Sequence, residues 1–163
     1  MIRTNNKIVD SWKCIDALLN KYQSTSAPWT SWKVIKGYPE SNVFTDLGTP
    51  IIFTEPPVKT LEGPSQHGGE KSQEYLDMRI GIWDDRKTGG IEEISIISGR
   101  ILDLFGNFST VHTATFDVTL GSAFSNTTLL NQGMRVEGIT GPRSIETVNQ
   151  KEFRNEFVLR LRV

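Results

Sequence analysis

The hydrophobic period of the chain changes between Tyr75 and Phe105. From residue 75 to 83 apolar and polar positions alternate, which predicts a strand with one buried face. Beyond the polar, glycine-rich segment 84–90, apolar residues recur every three or four positions, which predicts a helix that stops at Gly106. The apolar positions are Leu76, Met78, Ile80 and Ile82, followed by Ile91, Ile94, Ile97 or Ser98, Ile101, Leu104 and Phe105. This block predicts an α+β architecture.

The remaining periodicity predicts one more helix and several strands. An amphipathic helix runs from about Asn6 to Tyr22, and Gly141 to Ser144 is expected to break a late strand. The expected strands are 32–36, 50–54, 111–120, 129–139 and 153–163. This order predicts a single α+β domain over residues 1–163, with a mixed or antiparallel sheet of five to six strands flanked by two helices.

A long segment rich in proline and glycine separates two of the strands. It extends from residue 55 to 71, and loops of such length in compact domains are usually either functional or disordered. One interpretation is a mobile tip. The other is a hairpin-like arm that becomes ordered on a neighbouring chain. In the second case Pro57, His67, Gly68 and Gly69 are candidate interface residues.

Composition narrows the class of protein. The 163 residues are 37% hydrophobic, enough to bury a core, and 18 basic against 19 acidic residues leave no global field to hold nucleic acid. The single cysteine, Cys14, lies on a helical stripe and is expected to be a buried thiol, which favours a reducing compartment. No signal peptide and no apolar run of roughly 20 residues is visible, so a soluble intracellular protein without membrane contact is expected.

Candidate chemistry is sparse. His67 and His112 have no metal-ligand spacing, and His112 is expected to be a packed strand residue. Asp84 and Asp85 admit two interpretations: a magnesium site at a strand end, or a solvated turn, which the following Arg-Lys-Thr-Gly-Gly favours. We therefore predict no catalytic residue, no metal ligand and no cofactor, and hence no enzymatic activity.

Three arginines occupy the polar face of the last strand. Arg154, Arg160 and Arg162 have only Glu156 as an acidic companion in that strand. They form either an ordinary charged outer face or a set of contacts to a neighbouring subunit, for which the planar guanidinium is well suited. We include them as candidate interface residues.

In size and element order the chain resembles the tail terminator proteins of long-tailed bacteriophages. The resemblance is carried by the first helix, the excursion at 55–71, the strand 75–83, its polar turn with helix 91–105, and the closing strand 157–163. It implies a homohexameric ring on the head-proximal end of the tail tube, which stops tube growth and offers a docking surface to the neck.

The implied partners are further copies of the chain, the major tail-tube protein and a head-completion or neck protein, with DNA only passing through the lumen. The implied location is the virion, after assembly in the host cytoplasm. A head-completion, neck or tube subunit is the alternative within the same class. A small metal-dependent phosphoesterase using Asp84 and Asp85 is the more distant one.

The arm interpretation makes a prediction. Deletion of residues 63–69 should leave the fold intact and weaken ring formation, because the segment would gain its order only on a neighbour. Thermal unfolding and the oligomeric mass by light scattering measure the two effects separately. Unchanged assembly would refute the arm.

Overall fold

The chain begins with a helix and ends with a long strand. The computed structural model describes residues 6–25, 32–37, 50–62, 73–85, 90–120, 123–146 and 152–163. Within these ranges the helices are α1 (Lys7–Thr25), α2 (Gly90–Gly106) and α3 (Phe108–Thr113). The strands are β1 (Lys33–Lys36), β2 (Ile51–Thr54), β3 (Val58–Glu62), β4 (Gln73–Asp85), β5 (Phe116–Leu120), β6 (Ala123–Thr127), β7 (Arg135–Glu146) and β8 (Glu152–Arg162). The predicted α+β class is confirmed.

Two long antiparallel strands, β4 and β8, form the centre of the sheet. They pair from Leu76 opposite Leu161 to Asp85 opposite Glu152. On the other side of β4, β2 pairs with its second half and β3 with its first half, so β2 and β3 lie end to end. β1 is parallel to β2, and β7 is antiparallel to β8. The result is a mixed six-stranded sheet, with β5 and β6 forming a separate two-stranded sheet.

The helices cover one face of this sheet. Alternate residues of β4 and β8 point into the core that the helices complete, and each such side chain contributes about 1.5–3 kcal/mol relative to exposure. Fully buried side chains of this core include Met78, Ile80 and Ile82 of β4, Phe157, Leu159 and Leu161 of β8, and Ile97 and Ile101 of α2. Among the described helices, none has the length together with the apolar character that crossing a bilayer demands.

Hydrogen bonds fix α1 to the edge of the sheet. The indole Nε1–H of Trp12 donates to Oγ1 of Thr54 at 2.8 Å, and the Thr54 hydroxyl donates to Asp16. Burial raises the pKa of Asp16, although Lys36 and Thr54 act in the opposite direction. One turn before Leu18, the Cys14 thiol is fully buried, and burial together with the charge of Asp10 raises its pKa to about 12. The prediction of a buried thiol is confirmed.

The strand predicted at 111–120 is wrong in its first half. The side chain of Asn107 accepts a hydrogen bond from the N–H of Thr110 at 3.0 Å and so caps the short helix α3. Only Phe116 to Leu120 form a strand. The alternation of apolar and β-branched residues resembles a strand, but the cap at Asn107 starts a new helix directly after Gly106.

His112 therefore lies in α3 and not in a strand. Its Nε2 accepts a hydrogen bond from the N–H of Val136 at 2.9 Å, so Nδ1 carries the proton and donates to the carbonyl of Phe108 at 2.9 Å. The ring is buried and joins α3 to the start of β7. The prediction that His112 is packed and hydrogen-bonded is confirmed, while its predicted location is wrong.

The predicted break at Gly141 to Ser144 is also wrong, because β7 continues through it as an irregular strand. The register against β8 shifts between Val136 and Gly138 and again between Thr140 and Arg143. Gly141 adopts a φ of +124°, and a Cβ there would lie 2.8 Å from the carbonyl oxygen of Glu156. Only glycine fits this bulge, which admits the cis Gly141–Pro142 bond without ending the strand. Between the predicted strands 111–120 and 129–139, the structure adds the strand β6.

A second apolar layer lies on the opposite face of the sheet near β2. Ile51, Phe53 and Trp83 are buried there, and Phe53 is the register partner of Gly81. The phenyl ring of Phe53 occupies the space above Gly81, so that an added Cβ would overlap it. Glycine is required at this strand position because of the close approach of the ring.

We predict that Gly81→Ala destabilises the fold by about 2 kcal/mol, since the buried Phe53 ring has nowhere to move. Urea unfolding measures the change. Gly138→Ala is the control, because nothing lies within 4 Å of its added Cβ, and its effect should stay within about 0.5 kcal/mol. Phe53→Leu should recover part of the loss in the Gly81→Ala background. Equal effects at both glycines would contradict the role of Phe53.

Candidate functional site

The face of β4, β7 and β8 that points away from the helices carries charged residues. We call this surface the open face. It is formed by Asp77 and Arg79 of β4, Glu137 and Thr140 of β7, and Glu156, Val158, Arg160 and Arg162 of β8. Arg79 is exposed, and Val158 is 44% exposed although it is apolar.

Asp77 and Arg160 form the tightest ion pair of the open face. Nε of Arg160 donates to Oδ1 at 2.9 Å and the terminal nitrogen donates to Oδ2 at 3.1 Å, while Thr60 adds a hydroxyl donor at 3.0 Å. The guanidinium also lies 4.9 Å from the centre of the Tyr75 ring. These hydrogen bonds from Arg160 lower the pKa of Asp77, against the opposing effect of burial.

A second set of charges extends along the same face toward β2. Arg79 lies 3.2 Å from Glu55 and 3.9 Å from Glu156, and Glu156 in turn lies 3.2 Å from Nε of Arg154. The side chains of Arg154 and Glu156 are only 16% and 13% exposed. Because most of this pair is buried, it belongs to the interior of the subunit more than to its surface.

The three arginines predicted as interface residues therefore differ in availability. Arg154 and Arg160 have acidic partners at hydrogen-bonding distance in the same chain. Arg162 is 3.8 Å from Glu137, and its side chain is 54% exposed. That these residues contact a neighbouring subunit stays a prediction, and Arg162 retains the most accessible guanidinium of the three.

The predicted arm at 55–71 is in part a regular hairpin. Its first five described residues after Pro57 form β3, which pairs with the beginning of β4. On the helix side of this hairpin Leu61 is 60% exposed, whereas Leu76 further along β4 is buried. The hairpin thus projects past the layer of helices, and Val58 is 67% exposed on its other side.

Of the interface residues predicted in the segment 55–71, only Pro57 lies within the described part of the chain. Pro57 is buried between the end of β2 and the start of β3. His67, Gly68 and Gly69 lie outside the described residues. Their assignment as interface residues stays a prediction.

Asp84 is not part of a solvated turn. It is fully buried in β4, and Asp85 is the last residue of that strand. Burial raises the pKa of Glu93 in the first turn of α2, and the charge of Asp84 raises it further, so the two carboxyl groups are neighbours. Among the described residues, no three histidine, cysteine or acidic side chains come together as a metal site.

Sequence reasoning identified the arginines of β8 but not their partners. Asp77 stands on the polar side of the predicted strand 75–83, yet its pairing with Arg160 spans 83 positions of the chain. Only the register of β4 against β8 places them opposite each other. Arg135 was missed as well, because the predicted strand 129–139 gave no register against β8.

Comparison with known proteins supports the fold alone. No protein-family model matches the chain, and no curated protein sequence is significantly similar to it. One solved structure, whose name conveys no activity, is similar with a TM-score of 0.52 and 10% sequence identity, over 94% of this chain and 92% of that one. The likeness extends over nearly the whole of both chains and concerns the arrangement of elements.

We predict that Asp77→Asn lowers the free energy of unfolding by about 1 kcal/mol near neutral pH, because the Arg160 fork loses its charged acceptor. The pKa of Asp77 is lower in the folded state, so this stabilisation is present above about pH 4 and is lost as the pH falls through the lowered value. Urea unfolding at neutral pH and at about pH 2 measures both effects.

Glu137→Gln is the matched control for this prediction. Its carboxylate lies 3.8 Å from Arg162, with the two side chains 36% and 54% exposed, and its removal should cost less than about 0.3 kcal/mol. A difference between wild type and Asp77→Asn that is as large in acid as at neutral pH would contradict the electrostatic assignment.

Proposed function

We propose that this chain is a structural virion protein: a ring-forming tail terminator that caps the head-proximal end of the tail tube of a long-tailed bacteriophage. In this role the ring stops tube polymerisation and offers its second face to the head-completion or neck protein. The chain assembles in the host cytoplasm and resides in the virion.

The observation that carries the proposal is the hairpin of β3 and β4. It extends past the helices and exposes Val58 and Leu61 on its two sides. In a subunit that functions alone, such a projection leaves apolar surface in water at a cost of roughly 25 cal/mol for each Å². In a ring, each projection can lie on the neighbouring subunit and bury that surface.

The charge distribution supports the same role. The formal net charge is −1, so a ring of such subunits can surround DNA without the counterion-driven attraction of a basic channel. The open face carries paired charges, which suits a surface that must choose its partner by electrostatic complementarity. Both features are also compatible with a head-completion, neck or tube subunit. Binding assays with tail tubes and neck complexes distinguish a terminator from these alternatives.

The test measures assembly and tube binding. We expect a closed ring by light scattering and negative-stain microscopy, and co-sedimentation of the purified chain with tail tubes in preference to neck complexes. Replacement of Val58 and Leu61 by serine should reduce ring formation at least tenfold while the unfolding temperature stays close to wild type, because these side chains are already exposed.

Ile96→Ser is the matched control, since Ile96 is 48% exposed on the outer side of α2 and not on the hairpin. It should assemble as wild type does. A chain that stays monomeric at high concentration and also fails to bind tubes would overturn the proposed function.

A further inference from the structure

Two arginines face each other at the end of β7 and β8 that is nearest the hairpin. Arg135 is the register partner of Arg162. Both line a cleft of about 420 Å³ together with Leu130, Gly133 and Val163. Like charges in directly opposite positions of an antiparallel pair are destabilising. The opposed arginines therefore lower the stability of the isolated chain, and their presence calls for an explanation.

Neither guanidinium is neutralised at close range. Arg162 reaches only to 3.8 Å from Glu137, and Arg135 is exposed and makes no ion pair with another described residue. Leu130 is 38% exposed beside them. The cleft thus presents two planar hydrogen-bond donors next to apolar surface. Its best ligand is a carboxylate attached close to an apolar group.

Such a group is present at the opposite end of the same sheet. Ile91 and Glu92 begin α2, which follows the end of β4. The side chain of Ile91 is 64% exposed, and the exposed Glu92 makes no ion pair with another described residue. Favourable interaction with the helix dipole accounts for an acidic residue in this first turn but not for the exposed isoleucine. We call this pair the α2 corner.

Two more carboxyl groups, those of Glu93 and of the buried Asp84, lie next to the α2 corner. Burial and the neighbouring charge of Asp84 both raise the pKa of Glu93, which follows Glu92 in the chain. The corner and the cleft are separated by the length of β8, whose 11 residues span about 33 Å. One end of the subunit thus offers a carboxylate beside an apolar side chain, and the other end offers its receptor.

We propose that the cleft of Leu130, Arg135 and Arg162 receives the α2 corner of a second copy of this chain. Unlike patches at opposite ends of one subunit produce a heterologous, head-to-tail contact, the type of contact that closes into a ring. A bound carboxylate would also relieve the repulsion between the two arginines. The inference rests on the proposed ring and names the residues that join its subunits.

The experiment is a charge exchange. The double variant Arg135→Glu, Arg162→Glu and the single variant Glu92→Arg should each weaken assembly at least tenfold, measured by light scattering over a concentration series at low salt. The variant that carries all three substitutions should recover assembly to within about threefold of wild type, because the complementary charges are restored in exchanged positions. Arg100→Glu, at an exposed position of α2, is the control and should assemble normally.

Thermal unfolding separates a folding defect from an interface defect. Arg135→Glu, Arg162→Glu replaces one pair of opposed like charges by another of the opposite sign, next to Glu137, so it should unfold somewhat below the wild-type temperature. Should it unfold before assembly can be measured, Arg135→Gln tests the same contact and should still weaken assembly. Rings that form normally from the charge-reversed variants, or triple variants that fail to recover, would overturn this contact while leaving the proposed function intact. A wild-type chain that neither forms rings nor binds tubes would overturn both.

Discussion

The pairing of β4 with β8 is the constraint on which the rest of the structure depends. Residues on the two strands alternate between the core and the open face, and their register sets Met78 against Leu159 on one side and Asp77 against Arg160 on the other. If the register slipped by one position, the buried side chains would face the solvent and the charged side chains would face the core. The same register therefore defines the hydrophobic core, the ion pairs of the open face and the position of the hairpin.

Charges on the open face contribute specificity more than stability. The pair of Arg162 with Glu137, whose side chains are 54% and 36% exposed, is worth only a few tenths of a kcal/mol. The partly buried fork between Arg160 and Asp77 is worth more, and it is geometrically satisfied within the subunit. An arginine that is already paired in this way would lose its own partner on binding a neighbour. For that reason Arg135 and Arg162, which have no acidic group within 3.5 Å among the described residues, fit the proposed contact better than Arg154 and Arg160.

The central elements can be predicted from the sequence because their apolar residues recur at the spacing of a strand or a helix that buries one face. The strand at 75–83 and the helix at 91–105 follow this rule, and their apolar positions are buried as expected except for Ile91, which is 64% exposed. α3 escapes prediction because its identity depends on the cap at Asn107 and on the packing of His112 against Val136. The break predicted in β7 from Gly141 and Pro142 does not occur. A β-bulge that packs closely against Glu156 accommodates both residues within the strand.

The candidate site is less predictable than the fold, since it is built from pairs that are far apart in the chain. Alternation places Arg154, Arg160 and Arg162 on one face, but it does not distinguish the two that find acidic partners from the one that keeps its guanidinium accessible. Burial adds a second distinction. Asp84 resembles a turn residue in the sequence, yet it continues β4 into the interior, where its charge acts on Glu93.

The length of β4 connects these observations to assembly. Its second half is enclosed by β2, β8 and the helices, whereas its first half pairs with β3 beyond the helical layer, where Leu61 stays exposed. A strand that is longer than the core it serves leaves apolar surface that a single subunit cannot bury. The opposed arginines at the same end of the sheet add an electrostatic cost that a single subunit cannot relieve. In the ring proposed above, a second copy of the chain would cover this end of the sheet, bury the apolar surface and relieve the repulsion between the arginines.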